Sequence, residues 1–180
     1  MGAIRLSKPL VINFFGASCT GKSTHSAGLF AELKRAGVNV ELGREYCKNF
    51  FYEGTQYKLG NQMLVTGKQI EQVETFTHGG CDVIIMDSPI LLGALYSQVY
   101  NRDIDLCMSI RKKFHTYNNY NILMISDVDF VSHGRYETGS SRNIISELLV
   151  SEGLHYDRTY KTTELKGYTK LVSAIIKKLS

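Results

Sequence analysis

Gly16-Ala17-Ser18-Cys19-Thr20-Gly21-Lys22-Ser23 is the stretch that decides how the rest of the chain is read. It matches GxxxxGK[ST] at every fixed position. Before it, Pro9 to Phe15 (PLVINFF) is a short apolar run of β-branched and aromatic residues ending at a glycine, which predicts a buried strand. After it, Lys22 to Ala36 carries Leu29, Phe30, Leu33 and Ala36 on one helical face, with Gly37 as the stop. A strand-to-helix turn of this kind aims successive backbone N–H groups inward as an anion nest and adds the positive end of a helix. Gly16, Ala17, Ser18, Cys19, Thr20, Gly21, Lys22, Ser23 and Thr24 are therefore expected to wrap the phosphates of ATP. Lys22 is expected to reach the β- and γ-phosphates, and Ser23 to offer its hydroxyl to Mg²⁺. Cys19 reads as a small residue that fits the turn, not as a reactive thiol.

Working outward, Val38 to Leu42 alternates as a second strand, and Gln62 to His78 reads as a helix stopped by Gly79 and Gly80. Asp82 to Met86 and Asn121 to Ser126 read as further buried strands, with a helix from Arg102 to Tyr117 between them. A helix is expected over Ser141 to Glu152, and a short strand around Leu154 to Tyr156. The final helix is marked by Tyr168, Leu171, Val172, Ile175, Ile176 and Leu179 at helical spacing. Strands alternating with helices predict an α/β fold: a mostly parallel sheet in three layers, helices covering both faces. No repeat, low-complexity tract or Pro-rich linker divides the chain, so residues 1–180 are expected to form a single domain.

In such sheets ligands sit beyond the carboxyl ends of the strands. Asp87 follows the third strand, where a carboxylate serves a Mg²⁺ ion that keeps several of its waters. Glu45 follows the second strand, placed for the acid that orients an acceptor hydroxyl and takes its proton. Strand-end capping by Asp87 and a surface Arg44–Glu45 pair are the plainer readings. Which of the two acids is the base stays open. His133 to Arg142 is polar, glycine-punctuated and carries Arg135 and Arg142, which predicts a lid over the triphosphate. The guanidinium fork suits phosphate oxygens. No guanine-reading NKxD-like stretch occurs, which favours ATP over GTP.

Hydrophobic residues make up 43% of the chain and charged residues 21%, ordinary for a globular protein. The net charge of +4 suits anionic substrates without specifying nucleic acid. No apolar run approaches the roughly 20 residues that span a bilayer. Met1 to Lys8 lacks the apolar core of a secretory signal, so a cytoplasmic location is expected. Cys19, Cys47, Cys81 and Cys107 form no CxxC pair, which speaks against a zinc site or a disulfide framework.

The phosphate loop, Arg44-Glu45, the helix containing Gln69, Asp87-Ser88-Pro89 and Gly134-Arg135 together resemble the bacterial nicotinamide-riboside-kinase-like P-loop kinases. More loosely they resemble deoxynucleoside and nucleoside-monophosphate kinases, over roughly Val11 to Tyr156. The resemblance implies a parallel five-stranded core and phosphorylation by Mg-ATP of a hydroxyl or phosphate on a nucleoside-type acceptor. It further implies that Lys22 and Ser23 bind Mg-ATP, that Asp87 serves the metal or the base role, and that Arg135 and Arg142 are lid arginines. Asp87-Ser-Pro lacks the arginine that follows the acid in many deoxynucleoside and thymidylate kinases. It also lacks the second acid of the Asp-Thr-Asp in nicotinamide-riboside kinases.

The acceptor is therefore open. Tyr46, Phe50, Phe51, Tyr52 and Tyr57 lie close to Glu45 and offer faces for a base, although core packing accounts for at least two of them. A nucleoside or nucleotide acceptor is the leading expectation. An alternative is a hydroxyl of a nucleic acid, such as a hydroxymethylated base in viral DNA, with Arg111-Lys112-Lys113 following the backbone. A third reading is an ATP-binding switch that hydrolyses slowly without an acceptor.

Overall fold

The computed structural model of the protein describes residues 8–129 and 139–179, with no side chains for 139–141. Most of the expected lid, Arg135 included, lies outside the described residues. The sheet has five strands in the order β2-β3-β1-β4-β5: β1 (Leu10–Phe15), β2 (Val40–Gly43), β3 (Val83–Met86), β4 (Asn118–Ile125) and β5 (Arg158–Lys161). Every pairing is parallel. β1 is central, with Ile12 opposite Ile85 on one side and Tyr120 on the other.

All six side chains of β1 are buried, because both sheet faces are covered. Ile12 and Phe14 point to the face packed by Leu29 and Leu33 of α1 (Lys22–Arg35) and by Leu171 and Ile175 of α7 (Thr169–Leu179). Val11 and Phe15 point to the other face. It is covered by α3 (Gln62–His78), α4 (Ile90–Tyr96), α5 (Ile104–Phe114) and α6 (Gly139–Ser151). A short α2 (Cys47–Tyr52) and a 3₁₀ turn at Gln56–Gly60 link β2 to α3. On that second face Asn13 is buried, and its amide donates to Asn119 Oδ1 at 2.9 Å and Asn121 Oδ1 at 3.0 Å. Asn121 donates in turn to the His155 carbonyl at 3.0 Å. Paired in this way, amides inside an apolar sheet avoid the cost of burial and oppose any slip of β1 against β4.

Two expectations shift. The fifth strand falls at Arg158–Lys161, not at Leu154 to Tyr156. Leu154 and Tyr156 pack against the core from an irregular segment, and the strand itself carries mostly exposed polar residues at the sheet edge. An apolar pair can thus mark core contact without marking a strand. The fourth strand starts at Asn118, three residues ahead of the expected start; its Asn-Asn opening resembles a turn in sequence, but here the second of those amides, Asn119, serves the buried network.

Candidate active site

Three strand ends converge. Because β3 lies between β2 and β1, Asp87 at the end of β3 stands between the phosphate loop after β1 and Glu45 after β2. At Gly16 φ is 150°, and a Cβ there would lie 2.7 Å from the Met124 carbonyl and collide with the Thr20 hydroxyl. Only glycine fits where the loop leaves the sheet. Cys19 holds φ at 62°, a left-handed conformation rare outside glycine and typical of strained functional turns. Thr20 donates to the Ala17 carbonyl at 2.9 Å and pins the loop from within. The Lys22 ammonium lies over the loop, 2.7 Å from the Gly16 carbonyl and 2.8 Å from that of Ala17. Ser18 to Thr24 line a small polar cavity of about 80 Å³.

Asp87 is buried, and its Oδ1 has no hydrogen-bond partner. Burial pushes its pKa up; a hydrogen bond from Ser23 pulls it down, the Glu45 charge pushes it up, and Lys48 and Lys22 pull it down. A serine hydroxyl beside a buried carboxylate with one unpartnered oxygen is a donor set that fits a hard cation. Among the described residues no group of three or more His, Cys, Asp or Glu could hold a metal by itself. Few protein ligands suit Mg²⁺, which commonly completes its shell with water and substrate phosphates.

Sequence reasoning passed over Lys48. Its ammonium donates to Ser23 Oγ at 2.6 Å and forms ion pairs with Glu45 Oε2 at 3.4 Å and Asp87 Oδ2 at 3.8 Å. The only signal in the chain was its place three residues after Glu45, one turn away on α2.

Beside the phosphate cavity lies a larger apolar one of about 200 Å³, which shares Ser18, Glu45, Ser88, Leu92 and Tyr96 with it. α3 contributes Val65 and Gln69, α4 contributes Leu92 and Gly93, and α2 contributes Phe51. A Cβ on Gly93 would collide with the Thr66 hydroxyl, so glycine is what lets α3 and α4 approach. After α4 the helix widens into one π turn, Ser97–Asn101, and the rings of Tyr96 and Tyr100 stack at 6.2 Å and 11° along the cavity wall. Such turns recur at functional sites. Gln69 donates to Ser88 Oγ at 2.9 Å while its own carbonyl oxygen stays buried and unpartnered; the same is true of the Gln62 carbonyl oxygen.

Of the expected aromatics only Phe51 reaches this cavity. Phe50 is buried with Tyr46 set edge-on against it at 5.2 Å, whereas Tyr52 and Tyr57 are more than four-fifths exposed. Two of the three residues in the basic run on α5 are turned to the protein's own carboxylates. Arg111 grips Glu152 with two bonds of 2.6 and 2.9 Å, and Lys113 donates to Glu74 at 2.7 Å. Arg142 donates to the Val128 carbonyl at 3.2 Å. No described helix is long and apolar enough to cross a membrane.

The family model of the AAA domain matches residues 11–167. Among solved structures, thymidylate kinase from Ehrlichia chaffeensis superposes with a TM-score of 0.58 at 17% identity, covering 96% of this chain and 100% of that one. That likeness establishes a P-loop nucleotide-kinase fold. No curated protein matches the sequence.

Proposed function

We propose that this chain, which belongs to the AAA domain family, is a kinase that moves the γ-phosphate of Mg-ATP to a hydroxyl of a nucleoside- or nucleotide-type acceptor. One observation carries the reading: the phosphate cavity and the apolar cavity share a wall, and Glu45 stands in it. Donor and acceptor bound in adjoining cavities would meet at a carboxylate, the arrangement phosphoryl transfer needs because its catalysis is mostly positioning and charge stabilisation.

In this reading the loop from Gly16 to Thr24 holds the phosphates through backbone N–H groups, and Lys22 moves from its loop carbonyls to the β- and γ-phosphates. Ser23 and Asp87 are the residues that would hold Mg²⁺, which would supply charge neutralisation at the phosphates. Glu45 accepts the proton of the acceptor hydroxyl as its oxygen bonds to the γ-phosphorus and the bond to the β–γ bridging oxygen breaks. Arg135 and Arg142 are proposed to meet charge on the transferring group. Among the described residues Lys48 and Glu45 are the only charged ones lining the apolar cavity; Glu45 also lines the phosphate cavity, and Lys48 contacts Ser23 there. This supports an acceptor whose far end is uncharged, such as a base, over one carrying a phosphate there. The unpartnered Gln62 and Gln69 carbonyl oxygens are suited to accept from a base N–H.

The test is incubation with γ-labelled ATP, Mg²⁺ and separate pools of nucleosides, nucleotides and DNA. Label in a nucleoside or nucleotide supports the reading. Label in polymer alone makes the protein a nucleic-acid kinase, and release as inorganic phosphate alone makes it a switch.

A further inference from the structure

Lys48 occupies an unusual place. Its ammonium is in contact with a hydroxyl from the first turn of α1, a carboxylate from the end of β2 and a carboxylate from the end of β3. Two of these three oxygens belong to Ser23 and Asp87, the proposed cation ligands. We propose that Lys48 is an internal stand-in for the divalent cation, holding the metal-binding oxygens together and leaving them when the metal binds. This rests on the reading that Ser23 and Asp87 hold Mg²⁺.

Lys48 and a divalent cation compete for the same oxygens. Asp87 is a buried carboxylate near Glu45, and two like charges at one site repel unless a cation lies between them. An ammonium supplies one positive charge and three donors directed at lone pairs. A Mg²⁺ ion needs those lone pairs at about 2.0–2.1 Å. The Ser23 oxygen, with Lys48 Nζ at 2.6 Å, would then present a single positive charge and a double one to each other at close range. Both cannot remain.

The side chain has somewhere to go. Lys48 already lines the apolar cavity and is 42% exposed, so its stem can swing without unpacking the core. Glu45 and Lys48 sit three residues apart across the start of α2, and they are ion-paired. When Lys48 leaves, Glu45 loses that partner as well. Metal entry would thereby free the proposed base at the wall of the acceptor cavity. Lys48 is in this account a positioning residue: it governs when Asp87 and Glu45 become available, and takes no part in bond making.

The experiment measures cation binding on the full chain without nucleotide, using Mn²⁺ electron paramagnetic resonance with Mg²⁺ as competitor. Lys48→Met, which removes the charge, is expected to bind Mn²⁺ about tenfold tighter than the wild type, and Lys48→Arg, which keeps it, to bind as weakly as the wild type. Equal affinity in Lys48→Met and wild type would overturn the proposal. Asp87→Asn is expected to lose the site; Mn²⁺ bound there undiminished would instead overturn the metal reading, and the proposal with it. A second measurement uses the wild type alone: pulse acetylation with mass spectrometry, in which Lys48 is expected to react faster once Mg²⁺ saturates the site. Unchanged reactivity while the cation binds would overturn the proposal whether or not the variants fold.

Discussion

The phosphate cavity and the apolar cavity adjoin, yet they are built by different means. The first is made mostly by one contiguous run, Ser18 to Thr24, shaped by backbone geometry at Gly16 and Cys19 and completed by the wall it shares with the second. The second is assembled mainly from the 3₁₀ turn, α2, α3, α4 and the π turn, whose lining residues are scattered from Cys47 to Tyr100 and form no single motif. Backbone nests demand particular residues at particular spacings, because φ and N–H direction are set locally. Apolar walls demand only volume, which many residues supply. It follows that single substitutions in the loop should be severe for turnover, and that substitutions in the apolar wall should be graded and confined to the acceptor.

Lys22→Ala is the substitution with the largest expected effect. Removing the ammonium from the transferring phosphates should lower kcat by about 10²–10³ with the melting temperature nearly unchanged. Steady-state kinetics beside a thermal melt check this, and full turnover in a folded variant would break the comparison. Asp87→Asn and Glu45→Gln come next and sharpen it, for Glu45 lines both cavities and Asp87 is ion-paired with Lys48, which lines the apolar one. Asp87→Asn should raise the Mg²⁺ needed for half-maximal rate, whereas Glu45→Gln should lower kcat and leave ATP affinity alone. The raised pKa of Asp87 adds a direction. Protons compete with the cation at a higher pH than at an exposed aspartate, so the Mg²⁺ requirement should grow as pH falls and that growth should vanish in Asp87→Asn.

How much of this was legible follows from the same contrast. The phosphate loop, the parallel sheet and both strand-end acids could be read from the chain, because β1, β3 and the loop are each continuous and fully buried or conformationally restricted. The apolar cavity could not. Five aromatics near Glu45 pointed to a stacking site, but Phe50 went into the core and Tyr52 into solvent, while Tyr96 at the end of α4 and Tyr100 of the π turn, both distant in sequence, took the wall. Nothing in the order of residues says which ring will face inward on a helix of six residues. Lys48 was overlooked for a related reason: a lysine on a short helix normally faces water, and its role depends on Ser23 and Asp87 arriving from other elements. The edge strand β5 was misplaced because its exposed polar residues carry no burial pattern.

The acceptor side yields the next two expectations. Gly93→Ala drives a Cβ into the Thr66 hydroxyl and should cost about 1–3 kcal/mol of stability, read by denaturant titration, with acceptor KM raised as α3 and α4 separate. Arg111→Ala should have the smallest effect on function. It breaks the paired bond to Glu152, costing roughly 1 kcal/mol of stability, and leaves the salt dependence of phosphoryl transfer unchanged. A flattened salt profile in that variant would return the basic run to service as a nucleic-acid contact.

The central claim is that two adjoining cavities meet at Glu45 so that phosphate passes from one to the other. The direct measurement is a single-turnover assay with γ-labelled ATP, Mg²⁺ and a mixed nucleoside and nucleotide pool, run on the wild type and on Glu45→Gln. The account predicts label recovered on a nucleoside or nucleotide by the wild type, with Glu45→Gln binding ATP equally well and transferring it far more slowly. Label released only as inorganic phosphate, at equal rates in both proteins, would contradict it.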